Sequence, residues 1–133
     1  MTKQLKNLIL VDDDDIMVFL TKRLVAKTNL AKLSQVFGNG EDLINFLKEN
    51  QDKPEVLPEV IFLDLFMPVM DGWEFLEEYD QIKPVLCKEI TIYVITSSVS
   101  STDFNKAKKN KHVSDYIVKP MDKEQFTAII KSI

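Results

Sequence analysis

Two periodicities alternate along this chain, and that alternation limits what it can fold into. Short apolar runs rich in Val, Ile, Phe and Tyr sit at Leu8–Val11, Val60–Leu63 and Ile90–Ile95, with weaker ones at Lys32–Phe37 and Tyr116–Val118. The strongest lack polar alternation, the pattern of strands covered on both faces. Between them, apolar residues recur at helical spacing: Ile16, Phe19, Leu20 and Leu24; Leu43, Phe46 and Leu47; Phe126, Ile129, Ile130 and Ile133. Asp71 to about Lys83 carries Trp73, Leu76 and Tyr79 and is limited by Pro84. Ser100-Ser101-Thr102-Asp103 supplies helix-start chemistry before Phe104 and Ala107. Strand followed by helix, five times over, predicts an α/β fold: a five-stranded parallel sheet with helices on both faces.

The chain length of 133 residues suits one domain. No internal repeat or low-complexity segment divides it, and Asn50–Pro58, with Pro54 and Pro58, reads as a surface connection. Residues 1–133 are therefore expected to form a single domain with no output domain, acting through an interaction. A net charge of -4 and the lack of a basic stripe argue against a nucleic-acid surface. The one basic run, Lys106, Lys108, Lys109 and Lys111, reads as a solvated helix face. Cys87 is the sole cysteine, which excludes an internal disulfide and fits a reducing cytosol. The sequence has neither a signal peptide nor an apolar run near the roughly 18 residues a spanning helix needs. A cytoplasmic protein without membrane contact is the expectation.

In an open parallel sheet, ligands bind outside the carboxyl ends of the strands, where the strand order switches. The residues that end the strands therefore carry the functional information. Strand one ends in four consecutive acids, Asp12 to Asp15; strand three ends in Asp64, strand four in Thr96 and strand five in Lys119. Strand two runs into Phe37-Gly38-Asn39-Gly40, which reads as a plain turn. Asp14 and Asp15 are explained as the cap and first turn of helix one, where the helix dipole favours negative charge. Asp12, Asp13 and Asp64 would converge, and clustered carboxylates raise each other's pKa unless a cation sits among them. Such hard oxygen ligands suit Mg²⁺ or Mn²⁺. A lysine opposite them can pair with a carboxylate or clamp an added anion, and a nearby hydroxyl can bond it. A carboxylate in that setting is a candidate nucleophile toward a phosphoryl group.

These residues resemble the receiver domain of bacterial two-component response regulators, the group that includes the chemotaxis response regulator. The matching motifs are LILVDDD (8–14), VIFLDLFMPVMDGWEFL (60–76), YVITSS (93–98) and SDYIVKP (114–120), and together they span essentially the whole chain. The resemblance implies a flavodoxin-like fold with strand order 2-1-3-4-5. It implies that Asp64 is the phosphoacceptor, that Asp13 binds Mg²⁺ directly, and that Asp12 acts through a coordinated water. The backbone carbonyl of Phe66 would complete the metal ligands. Thr96 would bond the phosphoryl group and Lys119 would pair with it, with a cis Lys119–Pro120 peptide. Tyr116 matches the aromatic position that turns inward when Thr96 moves, reshaping the face made by helix four, strand five and helix five. The phosphoryl group would come from a sensor histidine kinase or a histidine phosphotransfer protein. The altered face would then bind a downstream protein target, or a second copy in a homodimer.

Phe66 and Ser98 fill positions that vary in the family and tune phosphoryl lifetime; a bulky Phe66 is expected to shield the acyl phosphate. The stretch Lys109-Asn110-Lys111-His112 replaces the Gly-Ala often found before strand five. Other functions fit less well. A flavodoxin-type cofactor carrier would need a Ser/Thr/Gly-rich phosphate cradle after strand one, where this chain places carboxylates. A haloacid-dehalogenase-type phosphatase would need a second Asp at position 66. A pseudo-receiver that takes no phosphate would not require all five site positions.

Overall fold

The computed structural model describes residues 6–133. The strands are β1 (Lys6–Val11), β2 (Ala31–Phe37), β3 (Val60–Leu63), β4 (Thr91–Thr96) and β5 (Val113–Val118). The helices are α1 (Asp15–Thr28), α2 (Gly40–Glu49), α3 (Gly72–Ile82), α4 (Ser101–Lys109) and α5 (Lys123–Lys131). All neighbouring strands pair in parallel, in the order β2-β1-β3-β4-β5, so the switch point falls between β1 and β3. This is the flavodoxin-like arrangement that the motifs imply.

Alternate residues of each central strand serve opposite faces. Ile9, Val11, Ile61 and Leu63 pack with Leu43, Leu47, Phe75 and Leu76 of α2 and α3. Leu8, Leu10, Val60 and Phe62 pack with Val25 of α1 and Phe126, Ile129 and Ile130 of α5. A smaller cluster of Leu65, Val94, Ala107 and Tyr116 seats α4. Each such fully buried aliphatic or aromatic side chain contributes about 1.5–3 kcal/mol. The uninterrupted apolar runs follow directly, because β1, β3 and β4 have no solvent face.

Polar residues set the helix starts. Asp14 caps α1 by accepting the Ile16 and Met17 N–H groups at 3.0 and 3.3 Å. The Gly38–Gly40 turn is more than a plain turn: Asn39 caps α2, accepting the Asp42 N–H at 2.9 Å, and the Gly40 N–H donates to the Met70 carbonyl at 2.9 Å. At the opposite edge of the sheet, Lys88 pairs with Glu59 and donates to the Pro54 and Leu57 carbonyls at 2.7 and 2.8 Å. That clasp holds the Asn50–Pro58 connection against the strand starts.

α1 departs from the expected burial. Its helical spacing is as predicted, but Ile16 is 68% exposed, Phe19 57% and Leu20 40%, and the residue it buries is Val25. Periodicity located the helix but not the face it turns to the core. Cys87 is exposed. The basic run is also less free than a solvated face: Lys106 lies 4.4 Å from the Trp73 ring centre, and Lys111 lies 3.2 Å from Asp80.

Candidate phosphoryl-transfer site

Four strand ends place the polar residues together. β1 delivers Asp12 and Asp13, β3 delivers Asp64, β4 ends in Thr96, and Lys119 follows β5. Oxygens of Asp12, Asp13 and Asp64 lie within 4.8 Å of one another. Asp12 and Asp64 are buried, at 5% and 6% exposure, while Asp13 is open to solvent. The Lys119 ammonium lies 2.6 Å from Asp12 Oδ2 and 3.4 Å from Asp64 Oδ2. Its backbone N–H donates to the Thr96 carbonyl at 2.8 Å, and the Lys119–Pro120 peptide is cis.

Backbone donors orient the carboxylates. The Asp14 N–H donates to Asp12 Oδ1 and the Leu65 N–H to Asp64 Oδ1, each at 2.9 Å. Gly72 lets α3 start directly against this loop. A Cβ there would stand 2.5 Å from the Asp64 carbonyl oxygen, and the Gly72 N–H donates to the Leu65 carbonyl at 2.9 Å. Asp71 and Glu74 close a capping box over that same start. Between Asp64 and Gly72, Val69 sits at φ 67°, a left-handed conformation rarely taken by a β-branched residue.

The charges do not balance. Burial and the neighbouring Asp12 charge push the Asp64 carboxyl up to about 6, against the pull of Lys119 and the Leu65 N–H. Burial pulls Lys119 down, but its contacts with Asp12 and Asp64 outweigh that and raise it. One ammonium thus faces three carboxylates. The donor set is all oxygen, partly open through Asp13 and one cation short, which fits a hard divalent ion such as Mg²⁺.

The chain belongs to the response regulator receiver domain family. That family matches residues 8–131. A receiver domain takes a phosphoryl group in two-component signalling, and the acidic cluster at the β1 and β3 ends is where such domains bind Mg²⁺. The chain is similar to a two-component response regulator structure from Cytophaga hutchinsonii, at TM-score 0.86 and 25% identity over 98% of this chain and 97% of that one. It is 25% identical to the probable methanogenesis regulatory protein FilR2 of Methanothrix harundinacea, over 95% of this chain and 79% of that protein. It is 26% identical to the probable C4-dicarboxylate response regulator DctR of Bacillus subtilis, over 88% of this chain but only 47% of DctR. The receiver domain thus spans about half of that regulator.

Thr96, Tyr116 and Phe66, the remaining positions named from sequence, are held by β4, β5 and the loop after β3. Thr96 is fully buried, and its Oγ1 accepts the Ser98 N–H at 3.3 Å. Tyr116 is buried, packs edge-on against Phe104, and donates its hydroxyl to the Ser98 carbonyl at 2.8 Å. Phe66 follows Asp64 by two residues with its side chain half exposed. Sequence patterns missed the roles of Gly72 and Val69, because close backbone approach and φ leave no periodic trace. They also missed His112, whose ring bonds Asp80 at 2.7 Å and packs edge-on against Tyr79, tying the loop before β5 to α3.

Proposed function

We propose that Asp64 is the phosphoacceptor of this receiver domain, taking a phosphoryl group from a histidine kinase or histidine phosphotransfer protein. The observation that carries this reading is Asp64 itself, buried at the switch point between Asp12 and Lys119 with one oxygen already oriented by the Leu65 N–H. An Asp64 Oδ–P bond forms as the donor N–P bond breaks. The electron pair stays on the leaving imidazole, which gains a proton from solvent.

Asp12, Asp13 and Asp64, with the Phe66 carbonyl, would hold Mg²⁺ or Mn²⁺, which when bound would offset charge on the transferring oxygens. The chain's own groups do the rest. Lys119 pairs with the added charge, Thr96 offers a hydroxyl donor, and Asp12 anchors Lys119 at rest. Phosphorylation adds about two negative charges and strong acceptor oxygens at Asp64. Drawing Thr96 toward them favours the Tyr116-inward arrangement and so alters the α4-β5-α5 face, which a partner reads through differential affinity.

The exposed Ile16, Phe19 and Leu20 of α1, beside the Asp13–Asp15 turn, are the proposed seat of the phosphodonor. Their exposure supports this, since an amphipathic helix normally turns such residues inward.

The test is intact-mass labelling with acetyl phosphate. Wild type should gain one phosphoryl group only with Mg²⁺ present, and Asp64→Asn should gain none. Equal labelling of both proteins, or no labelling of wild type, overturns the assignment.

A further inference from the structure

α4 begins differently from α3 and α5. In α3 the Asp71 N–H donates directly to Glu74 Oε1 at 3.1 Å, and in α5 the Asp122 N–H donates directly to Gln125 Oε1 at 3.0 Å. Each is a closed capping box, with a long side chain at the third helical position reaching back to the cap. In α4 the cap is Ser100, and the third position holds Asp103, one methylene shorter. The Ser100 N–H donates instead to Ser98 Oγ at 3.2 Å, and Ser98 Oγ donates to Asp103 Oδ2 at 2.7 Å. The Ser98 hydroxyl spans the gap that the short side chain leaves.

Ser98 is also bonded through its backbone to both switch residues. Its N–H reaches Thr96 Oγ1 at 3.3 Å and its carbonyl accepts the Tyr116 hydroxyl at 2.8 Å. α4 is nine residues long and buries only Ala107, its other holds being Phe104 edge-on to Tyr116 and Lys106 over Trp73. A short helix with a narrow buried face depends strongly on its cap.

We propose that Ser98 is a positioning residue that makes the cap of α4 conditional on the Thr96–Tyr116 switch. The arrangement with Tyr116 buried and its hydroxyl on the Ser98 carbonyl is the inward one, and it places Ser98 where it completes the cap. Phosphorylation favours that arrangement and so orders the first turn of α4 on the output face. This deepens the phosphoacceptor reading and rests on it for the phosphoryl dependence, whereas the relayed cap itself stands on the Ser98 bonds observed in the inward arrangement.

Amide hydrogen exchange in the first turn of α4, read with intact mass, tests the two parts separately. In resting protein, Ser98→Ala should speed exchange at Asp103 and Phe104 about fivefold, the usual effect of losing one cap interaction. Adding Asp103→Glu to Ser98→Ala should restore protection by closing the box directly, which a general loss of stability would not allow. With acetyl phosphate and Mg²⁺, wild type should gain both phosphoryl mass and first-turn protection. Asp103→Glu alone should gain the same mass with no change in protection.

Unchanged exchange in Ser98→Ala, or no rescue by Asp103→Glu, overturns the relayed cap. A phosphoryl response in Asp103→Glu equal to wild type overturns its conditional character. No mass gain in wild type overturns the phosphoacceptor reading and the phosphoryl dependence together, while the resting comparison still decides the cap.

Discussion

The Lys119 ammonium lies 2.6 Å from Asp12 Oδ2. Both groups are almost completely buried, so each is the other's chief compensation for lost hydration. The longer contact to Asp64, at 3.4 Å, makes Lys119 a shared counterion between Asp12 and the group whose charge the proposed phosphorylation would change. Removing it strands two buried carboxylates. Lys119→Met should destabilise the metal-free protein by about 3 kcal/mol, within the range for breaking a buried ion pair. Mg²⁺ should restore part of that loss. Urea denaturation with and without Mg²⁺ checks both, and a loss indifferent to Mg²⁺ contradicts a shared acidic site.

Asp64 adds a pH dependence of its own to the metal-free protein. Its folded value of about 6 exceeds its ordinary 3.8, so between them the folded chain holds a proton that the unfolded chain releases. The stabilisation is complete below about pH 4 and is lost as pH rises through about 6. Asp64→Asn should therefore be more stable than wild type above pH 6, by on the order of 2 kcal/mol. That gain should vanish below pH 4. Denaturation midpoints of the two proteins across this range decide it, and a gain that grows on acidification contradicts the sign.

The loop after Asp64 holds opposite backbone demands. The Met70 N–H donates to the Pro68 carbonyl at 2.7 Å, closing a tight turn around Val69 at φ 67°. Val69→Gly, which has no Cβ to strain at this φ, should stabilise the protein by about 1 kcal/mol. Gly72→Ala should cost about 2 kcal/mol through the clash of its Cβ with the Asp64 carbonyl, and should slow labelling of Asp64. Thermal denaturation of both variants tests the pair; destabilisation by Val69→Gly would contradict the strain argument.

Phe66 has a half-exposed ring two residues past Asp64. If it shields the acyl phosphate from water, Phe66→Asn should shorten the phosphoryl lifetime severalfold without altering the extent of initial labelling. Decay of intact mass after removal of donor measures this, and an unchanged half-life removes Phe66 from the account.

The sheet was legible in sequence because its central strands are buried on both faces and leave unbroken apolar runs. The site was legible for a related reason: Asp12, Asp13, Asp64, Thr96 and Lys119 interrupt those runs where each strand stops. What stayed hidden depends on distance in space rather than on pattern. Ile16, Phe19 and Leu20 carry the spacing of a buried face and are exposed, since spacing does not say what lies opposite. As sequence, Ser98 points only to phosphoryl lifetime; its place in the α4 cap stays hidden because its four bonding partners, Thr96, Ser100, Asp103 and Tyr116, come from β4, the start of α4 and β5. His112 finds Asp80 across 32 positions of chain, and no local motif announces such a contact.

Chemical identification of the phosphorylated residue tests the central claim most directly. Protein labelled with acetyl phosphate and Mg²⁺ can be reduced with borohydride, which converts an aspartyl phosphate to homoserine, and then mapped by peptide sequencing. Homoserine at position 64 alone is the predicted result. Homoserine at position 12 or 13, or labelled protein with none at 64, would contradict the account.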